Sequence, residues 1–336
     1  MRDGSAITGP EAGAFDHDVG SHVWATVLAG GEGLRLRSLI QKVFGDDRPK
    51  QYAPLIGPES LLRQTLDRAG ALIPWERIAV VSQARHAAWV ARDVSPHGRV
   101  KVLLQPANRD TAAGVLLPIN WICWRDPDAT VVVLPSDHFV LEEEAFLAHV
   151  AEVVAFVEQH PGWLVLLGAK ATESDTEYGW IEPGHAVGAT TAGPIARVER
   201  FCEKPTIEGA AECLARGWLW NTFVLVAKAA TLVCVAEAVL PELQRGLSAI
   251  TPFFGTRREA WALQAAYAHL PRQNFSQAVL GAGLPCLAVS ALPPLTWSDL
   301  GCPARLFQLF RTLGIPPPWL PSRAEGPGQR AVVGTA

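Results

Sequence analysis

Four short runs rich in β-branched residues, "VWATVLA" (23–29), "RIAVVS" (77–82), "VKVLLQ" (100–105) and "ATVVVLPSD" (129–137), recur with helix-length stretches between them. Few folds accommodate that alternation. It predicts a parallel sheet covered by helices, because parallel neighbours need a crossover long enough to hold one. Before a further strand, "WLVLLGA" (163–169), Phe146, Val150, Val153, Val154 and Val157 recur at three- and four-residue steps, the spacing of one helix face turned to the core.

Beyond residue 170 the pattern changes. "YGWIEPG", "PIARVERFCEKP" and "WLWNTFVLVAK" read as strands around a short helix at 207–216, followed by helical stretches at 229–245 and 256–270, a last strand "CLAVSAL" (286–292) and the loop "PPLTWSDLG". The expectation is an α/β fold: a Rossmann-like mixed, mostly parallel sheet over 22–169, extended by an α+β half over 170–314. Segments 1–21 and 315–336, the second Pro-rich, are expected to be tails. No internal repeat is visible.

The formal net charge is −4, and residues 1–22 carry −3 of it, with Asp3, Glu11, Asp16 and Asp18 against Arg2. A near-neutral body argues against nucleic acid as a partner and for a small ligand held by locally placed cations. No stretch approaches a membrane span and the N-terminus lacks a signal-peptide pattern, so a cytoplasmic location is expected. The six cysteines form no CxxC pair and are expected to be buried, reduced thiols.

The chemistry is expected in "LAGGEGLRLRSLIQKVFGDDRPKQYAPL" (28–55). Gly30, Gly31 and Gly33 follow a strand and let backbone amides approach an anion, a phosphate cradle, with Leu28 at the strand's end. A dinucleotide fingerprint would need glycine at Leu36 and a P-loop would need Gly-Lys-Ser/Thr; neither is present. That disfavours a nicotinamide oxidoreductase. Arg35 and Lys50 are two cations able to converge on a polyphosphate. Asp137 ends a central strand, where open α/β sheets bind ligands, and Asp299 lies in "WSDLG" after the final strand. Two carboxylates and a phosphate-rich substrate would suit Mg²⁺.

In order along the chain, "LAGGEGLRL", "RPKQYAPL", "LPSDH", "EYGWIE", "FCEKP", "LWNTF" and "WSDLG" resemble the sugar-phosphate nucleotidylyltransferases over roughly residues 23–312. With "NRDTAAG" (108–114), the likeness is greatest to the mannose-1-phosphate guanylyltransferases. The resemblance implies a nucleotide-diphospho-sugar transferase (GT-A-like) fold and the Mg²⁺-dependent reaction of GTP with α-D-mannose 1-phosphate, giving GDP-mannose for glycan synthesis and pyrophosphate. It implies that Gly30, Gly31, Gly33 and Arg35 hold the β and γ phosphates and that Lys50 stands near the α-phosphate. It further implies that Asp137 and Asp299 hold Mg²⁺ and Lys204 contacts the sugar phosphate. Glu203 and Asn221 are implied to bond sugar hydroxyls, Gly179 to let backbone approach the sugar, and Arg109 and Thr111 to line the base pocket. His138 reads as structural.

Several positions depart from the family pattern. Ser38 and Ile40 replace Pro and Ser/Thr, "QKVFGDD" lengthens the path from Arg35 to Lys50, Glu177 replaces glycine, Thr222-Phe223 replaces Ser-Gly, and Asn274 replaces aspartate. No C-terminal isomerase module is expected, hence a monofunctional chain. Alternatives are a nucleotidylyltransferase for another sugar phosphate or nucleotide, and a catalytically silent paralogue that binds nucleotide-sugar. Oligomeric state is open, a homodimer included.

Overall fold

The structure, a computed structural model, describes residues 20–320. Segments 1–19 and 321–336, most of the expected tails, lie outside the described residues. The strands are β1 (Val23–Leu28), β2 (Ile78–Gln83), β3 (Lys101–Gln105), β4 (Thr130–Pro135), β5 (Phe139–Val140), β6 (Leu164–Lys170), β7 (Gly179–Thr190), β8 (Gly193–Glu203), β9 (Leu219–Lys228), β10 (Leu287–Ala291) and β11 (Trp297–Ser298). The helices are α1 (Arg37–Phe44), α2 (Leu61–Leu72), α3 (Ala87–Val94), α4 (Asp110–Arg125), α5 (Glu143–Gln159), α6 (Ile207–Ala215), α7 (Ala229–Val239), α8 (Pro241–Ser248), α9 (Glu259–His269), α10 (Phe275–Ala278) and α11 (Pro303–Leu313).

Nine strands form one sheet in the order β3-β2-β1-β4-β9-β6-β10-β8-β7, and β5 pairs with β11 apart from it. The first four strands are parallel, as their unbroken apolar runs require when both faces are covered. Trp24 packs with α4 and α7–α9 on one face, while Val23, Ala25 and Val27 pack with α2, α3 and α5 on the other. The second half is not a separate body. Strand β9 enters antiparallel between β4 and β6, and β7 also pairs with β9 through Trp180 and Ile181, so β9, β6, β10, β8 and β7 close on themselves.

Two boundaries differ from expectation. The helical stretch 229–245 breaks at Pro241, which has no N–H to continue α7 and starts α8 at its N1 position. The C-terminal tail begins later than 315: Ile315 and Trp319 pack against the cluster of Leu36, Ile40, Leu306 and Phe310, and Trp319 Nε1 donates to the Leu55 carbonyl at 3.2 Å. That cluster also explains "QKVFGDD". It completes α1, ends at left-handed Gly45 (φ 77°) and returns the chain through Arg48–Asp46 and Arg37–Asp47 ion pairs. The cysteine expectation holds only in part: all six are free, but Cys213 alone is buried and Cys234 is exposed. Among the described residues no helix is long and apolar enough to cross a membrane.

Candidate active site

The strand order reverses between β1 and β4, and a cavity of about 370 Å³ opens there at the strands' carboxyl ends. Its lining includes Leu28, Gly30, Gly31, Thr111 and Asp137 from the sequence-derived set. The glycine loop is held from beneath. The Ala29 carbonyl accepts from Gln51 Nε2 (3.0 Å), Tyr52 Oη (2.8 Å) and Ser82 Oγ (3.0 Å), and Gln51 also donates to the Gly31 carbonyl at 2.8 Å. With the loop's carbonyls tied down, its amides are free to address an anion.

Gly33 also positions Lys50. At φ +60° it lies against Lys50, where a Cβ would fall 2.8 Å from the Lys50 amide nitrogen. Despite the longer connection, Lys50 is therefore brought back beside the glycines. The Lys50 side chain is 10% exposed, and its ammonium donates to the Asp299 carbonyl at 2.5 Å and pairs with Asp137 Oδ2 at 3.2 Å.

A second, smaller cavity of about 130 Å³ collects Gly179, Glu203, Asn221 and Asp299 with Glu177, Tyr178, Ser276 and Trp297. Gly179 is glycine for room: a Cβ would meet Glu203 Oε2 and Phe201 Cζ at 2.8 Å each. Burial raises the Glu203 carboxyl above its usual range, opposed by Lys204 and a hydrogen bond with Ser276. Among the described residues His138 and Phe223 alone line both cavities. His138 thus stands in the wall between them. Burial pushes its pKa down, against the pull of Asp137 and Asp299, and its Nδ1 has no partner.

Asp299 is the most elaborated carboxylate. Tyr178 Oη, the Gly301 amide and Arg305 Nη1 all reach Oδ1 at 2.9–3.0 Å, and Arg305 Nη1 reaches Oδ2 at 2.9 Å. Burial works to raise its pKa, but the Lys50 and Arg305 charges outweigh it and hold it below the usual carboxylate range. Arg305 also pairs with Asp175 and lies 4.2 Å from the Tyr178 ring centroid. As a test of Mg²⁺, Asp137 Oδ1 and Asp299 Oδ2 keep lone pairs for a cation, while Lys50 beside Asp137 and Arg305 on both Asp299 oxygens already offset part of the negative charge. Two carboxylates with phosphate oxygens and water form an ordinary magnesium site. Among the described residues no third carboxylate, His or Cys completes a cage.

Arg109, Arg35 and Lys204 do not line either cavity. Arg109 turns from the cavity, and its guanidinium donates to the Tyr267 carbonyl at 2.6 and 2.9 Å and to Ala268 at 3.2 Å, in the last turn of α9. Unpaired carbonyls at a helix C-terminus attract a cation, which is a positioning role. Arg35 is exposed and bonds Glu177 at 2.6 Å, and Lys204, at φ 48°, is exposed outside both linings. Conversely, Gln83 and Gln105, paired in register at the ends of β2 and β3, were not singled out and line the larger cavity. Tyr267 Oη donates to Gln105 Oε1 at 3.1 Å, which turns Nε2 towards Gly30. Polar amides ending two adjacent apolar strands were the available signal. Asn274 caps α10 by accepting from the Gln277 amide at 3.1 Å, and its Nδ2 donates to Asp110 Oδ1 at 3.4 Å, which ties α10 to the start of α4 beside the larger cavity.

The nucleotidyl transferase family model matches residues 24–314. The chain belongs to that family. Within it, the chain is 32% identical over 291 residues to the xanthan biosynthesis protein XanB of Xanthomonas campestris pv. campestris, covering 84% of this chain and 58% of that one. It is 26% identical over 298 residues to a mannose-1-phosphate guanylyltransferase of Escherichia coli K12, covering 86% and 60%. The chain thus spans under two thirds of the length of these curated relatives. A crystal structure titled mannose-1-phosphate geranyltransferase, from Thermus thermophilus, superposes with TM-score 0.71 at 31% identity, covering 83% of this chain and 76% of that one. The nucleotidyl transferase fold, an α/β architecture around a mixed sheet, is shared with that structure.

Proposed function

We propose that the protein transfers GMP from GTP to α-D-mannose 1-phosphate, yielding GDP-mannose and pyrophosphate. The observation that carries the reading is the position of Lys50, whose ammonium touches Asp137 of the larger cavity and the Asp299 carbonyl of the smaller one. A group there faces the atoms exchanged between a nucleotide on one side and a sugar phosphate on the other. Relatives named as mannose-1-phosphate guanylyltransferases supply the substrate pair.

The sugar phosphate is largely dianionic at neutral pH, with a second pKa of about 6, so its oxygen attacks the α-phosphorus without a general base. The bond from the α-phosphorus to the bridging oxygen breaks, and pyrophosphate leaves with the electron pair. Catalysis is then alignment and charge stabilisation. Gly30 and Gly31 direct amides at the departing phosphates, with Arg35 able to join once released from Glu177. Lys50 meets the charge that develops at the α-phosphate. Glu203 and Asn221 orient sugar hydroxyls, and the Gln83 and Gln105 amides face the base. Asp137 and Asp299 would hold Mg²⁺, whose charge screens the repulsion between two anionic reactants.

The test is pyrophosphate release with Mg²⁺ across five nucleoside triphosphates and two sugars, mannose 1-phosphate and glucose 1-phosphate. Release requiring GTP and mannose 1-phosphate together, and abolished by EDTA, supports the reading. The bulk of Phe223 and the charge of Glu177 beside the sugar cavity favour a second reading, another sugar 1-phosphate, which release with a different pair would select. Nucleotide binding without release from any pair would instead select a silent, regulatory paralogue.

A further inference from the structure

Strand β9 carries a bulge where it passes between the two cavities. Gly168 pairs with Asn221 and Leu166 with Leu225, so Leu167 alone faces Thr222, Phe223 and Val224. The ladder bonds lost there are replaced by side chains. Asn221 Oδ1 accepts from the Phe223 amide at 2.9 Å, Thr222 Oγ1 accepts from the Val224 amide at 3.2 Å, and Thr222 Oγ1 donates to the Leu167 carbonyl at 2.6 Å.

Within this bulge Phe223 adopts φ 60°, a left-handed conformation that favours glycine and burdens a bulky side chain. A β-bulge re-aims the residue it carries. Here the ring stands in the wall common to both cavities, braced edge-on by Phe275 with centroids 5.8 Å apart. A bulge, a strained backbone and dedicated side-chain bonds all deliver one aromatic ring to one place, and the smaller cavity beside it measures only about 130 Å³. Strain maintained at such a position points to a task.

We infer that Phe223 is a specificity-determining residue that limits the size of the sugar. The inference rests on the reading of the smaller cavity as the sugar-phosphate site. The class admitted is a plain hexose 1-phosphate, and the class excluded carries a bulky substituent towards the ring, as an N-acetylhexosamine 1-phosphate does. Phe223→Gly suits the backbone and leaves the Asn221 and Thr222 bonds in place, so it removes the ring alone. Phe223→Ala reads the same effect should the glycine variant fold poorly, and Phe223→Leu restores bulk without aromaticity.

The experiment measures kcat/KM for mannose 1-phosphate and for N-acetylglucosamine 1-phosphate at saturating nucleotide, with the nucleotide KM measured separately. Expected is at least a tenfold fall in the preference for the plain hexose in the glycine variant and a preference retained in the leucine variant. An unchanged preference in both the glycine and alanine variants overturns the inference, as does a preference lost equally in the leucine variant, which keeps the bulk. Turnover with a nucleotide or hexose other than GTP and mannose 1-phosphate would sink the substrate assignment while the preference ratio stayed measurable. Should the parent turn over no pair, calorimetry with GDP-mannose and UDP-N-acetylglucosamine, each against its free nucleoside diphosphate, gives the ratio, and absence of sugar-dependent binding overturns both readings.

Discussion

Gly33, at φ +60°, lies so close to Lys50 that a Cβ on it would fall 2.8 Å from the lysine amide nitrogen. Positive φ alone costs a non-glycine residue about 1–2 kcal/mol. The clash is with backbone, which cannot swing aside. Gly33→Ala is therefore expected to lower Tm by several degrees, at about 2–4 °C per kcal/mol, and to cut pyrophosphate release more than tenfold by moving Lys50. Gly31→Ala is the control, since nothing lies within 4 Å of its added methyl. Equal melting points for the two variants would refute the bracing role.

Lys50 itself is expected to act on the transition state. Its ammonium is fixed by Asp137 and the Asp299 carbonyl before substrate arrives, so no reorganisation is needed when charge develops. Lys50→Ala should lower kcat about 100-fold or more while nucleotide Kd, from calorimetry, changes less than about threefold. A loss confined to Kd would assign Lys50 to ground-state binding instead.

The parallel strands and the Phe146–Val157 helix face were legible because period and composition are local properties. The return of Lys50 to Gly33 was not legible, since α1 and its packing on α11 depend on contacts between residues far apart in sequence. Arg109 illustrates the converse. A motif places it near the nucleotide, but only the fold puts the carbonyls of Tyr267 and Ala268 within its reach. Gln83 and Gln105 escaped notice because a glutamine ending an apolar strand gains meaning only when its neighbour across the sheet carries another.

The Arg305 side chain, 10% exposed, holds two carboxylates, Asp299 and Asp175, each 16% exposed, and stacks on Tyr178. Removing one partner of a buried cluster leaves uncompensated charge, at a cost of about 3–5 kcal/mol. Arg305→Met should lose about that much in urea unfolding, and adding Asp175→Asn should recover part of it. A loss below about 1 kcal/mol, or no recovery, would show that solvent already screens the cluster.

His86 supplies a pH dependence with a definite sign. The residue is 4% exposed, and its ring packs between Tyr52 and Trp89 with no partner for Nδ1. Burial, aided by Arg85 and opposed by Glu32, pushes its pKa down to about 4 from an ordinary 6.5. Between those values the unfolded chain binds a proton that the folded chain refuses. Stability is therefore full above pH 6.5, declines as pH falls towards about 4, and loses nothing further from this group below that. His138 and His149 are depressed by burial too, so the native slope contains more than one proton. His86→Leu should reduce the slope of unfolding free energy between pH 5 and 6.5, measured by urea titration, by up to about 1.4 kcal/mol per pH unit. An identical slope in the variant would mean that His86 accepts its proton as readily folded as unfolded, through local opening of the Tyr52–Trp89 stack.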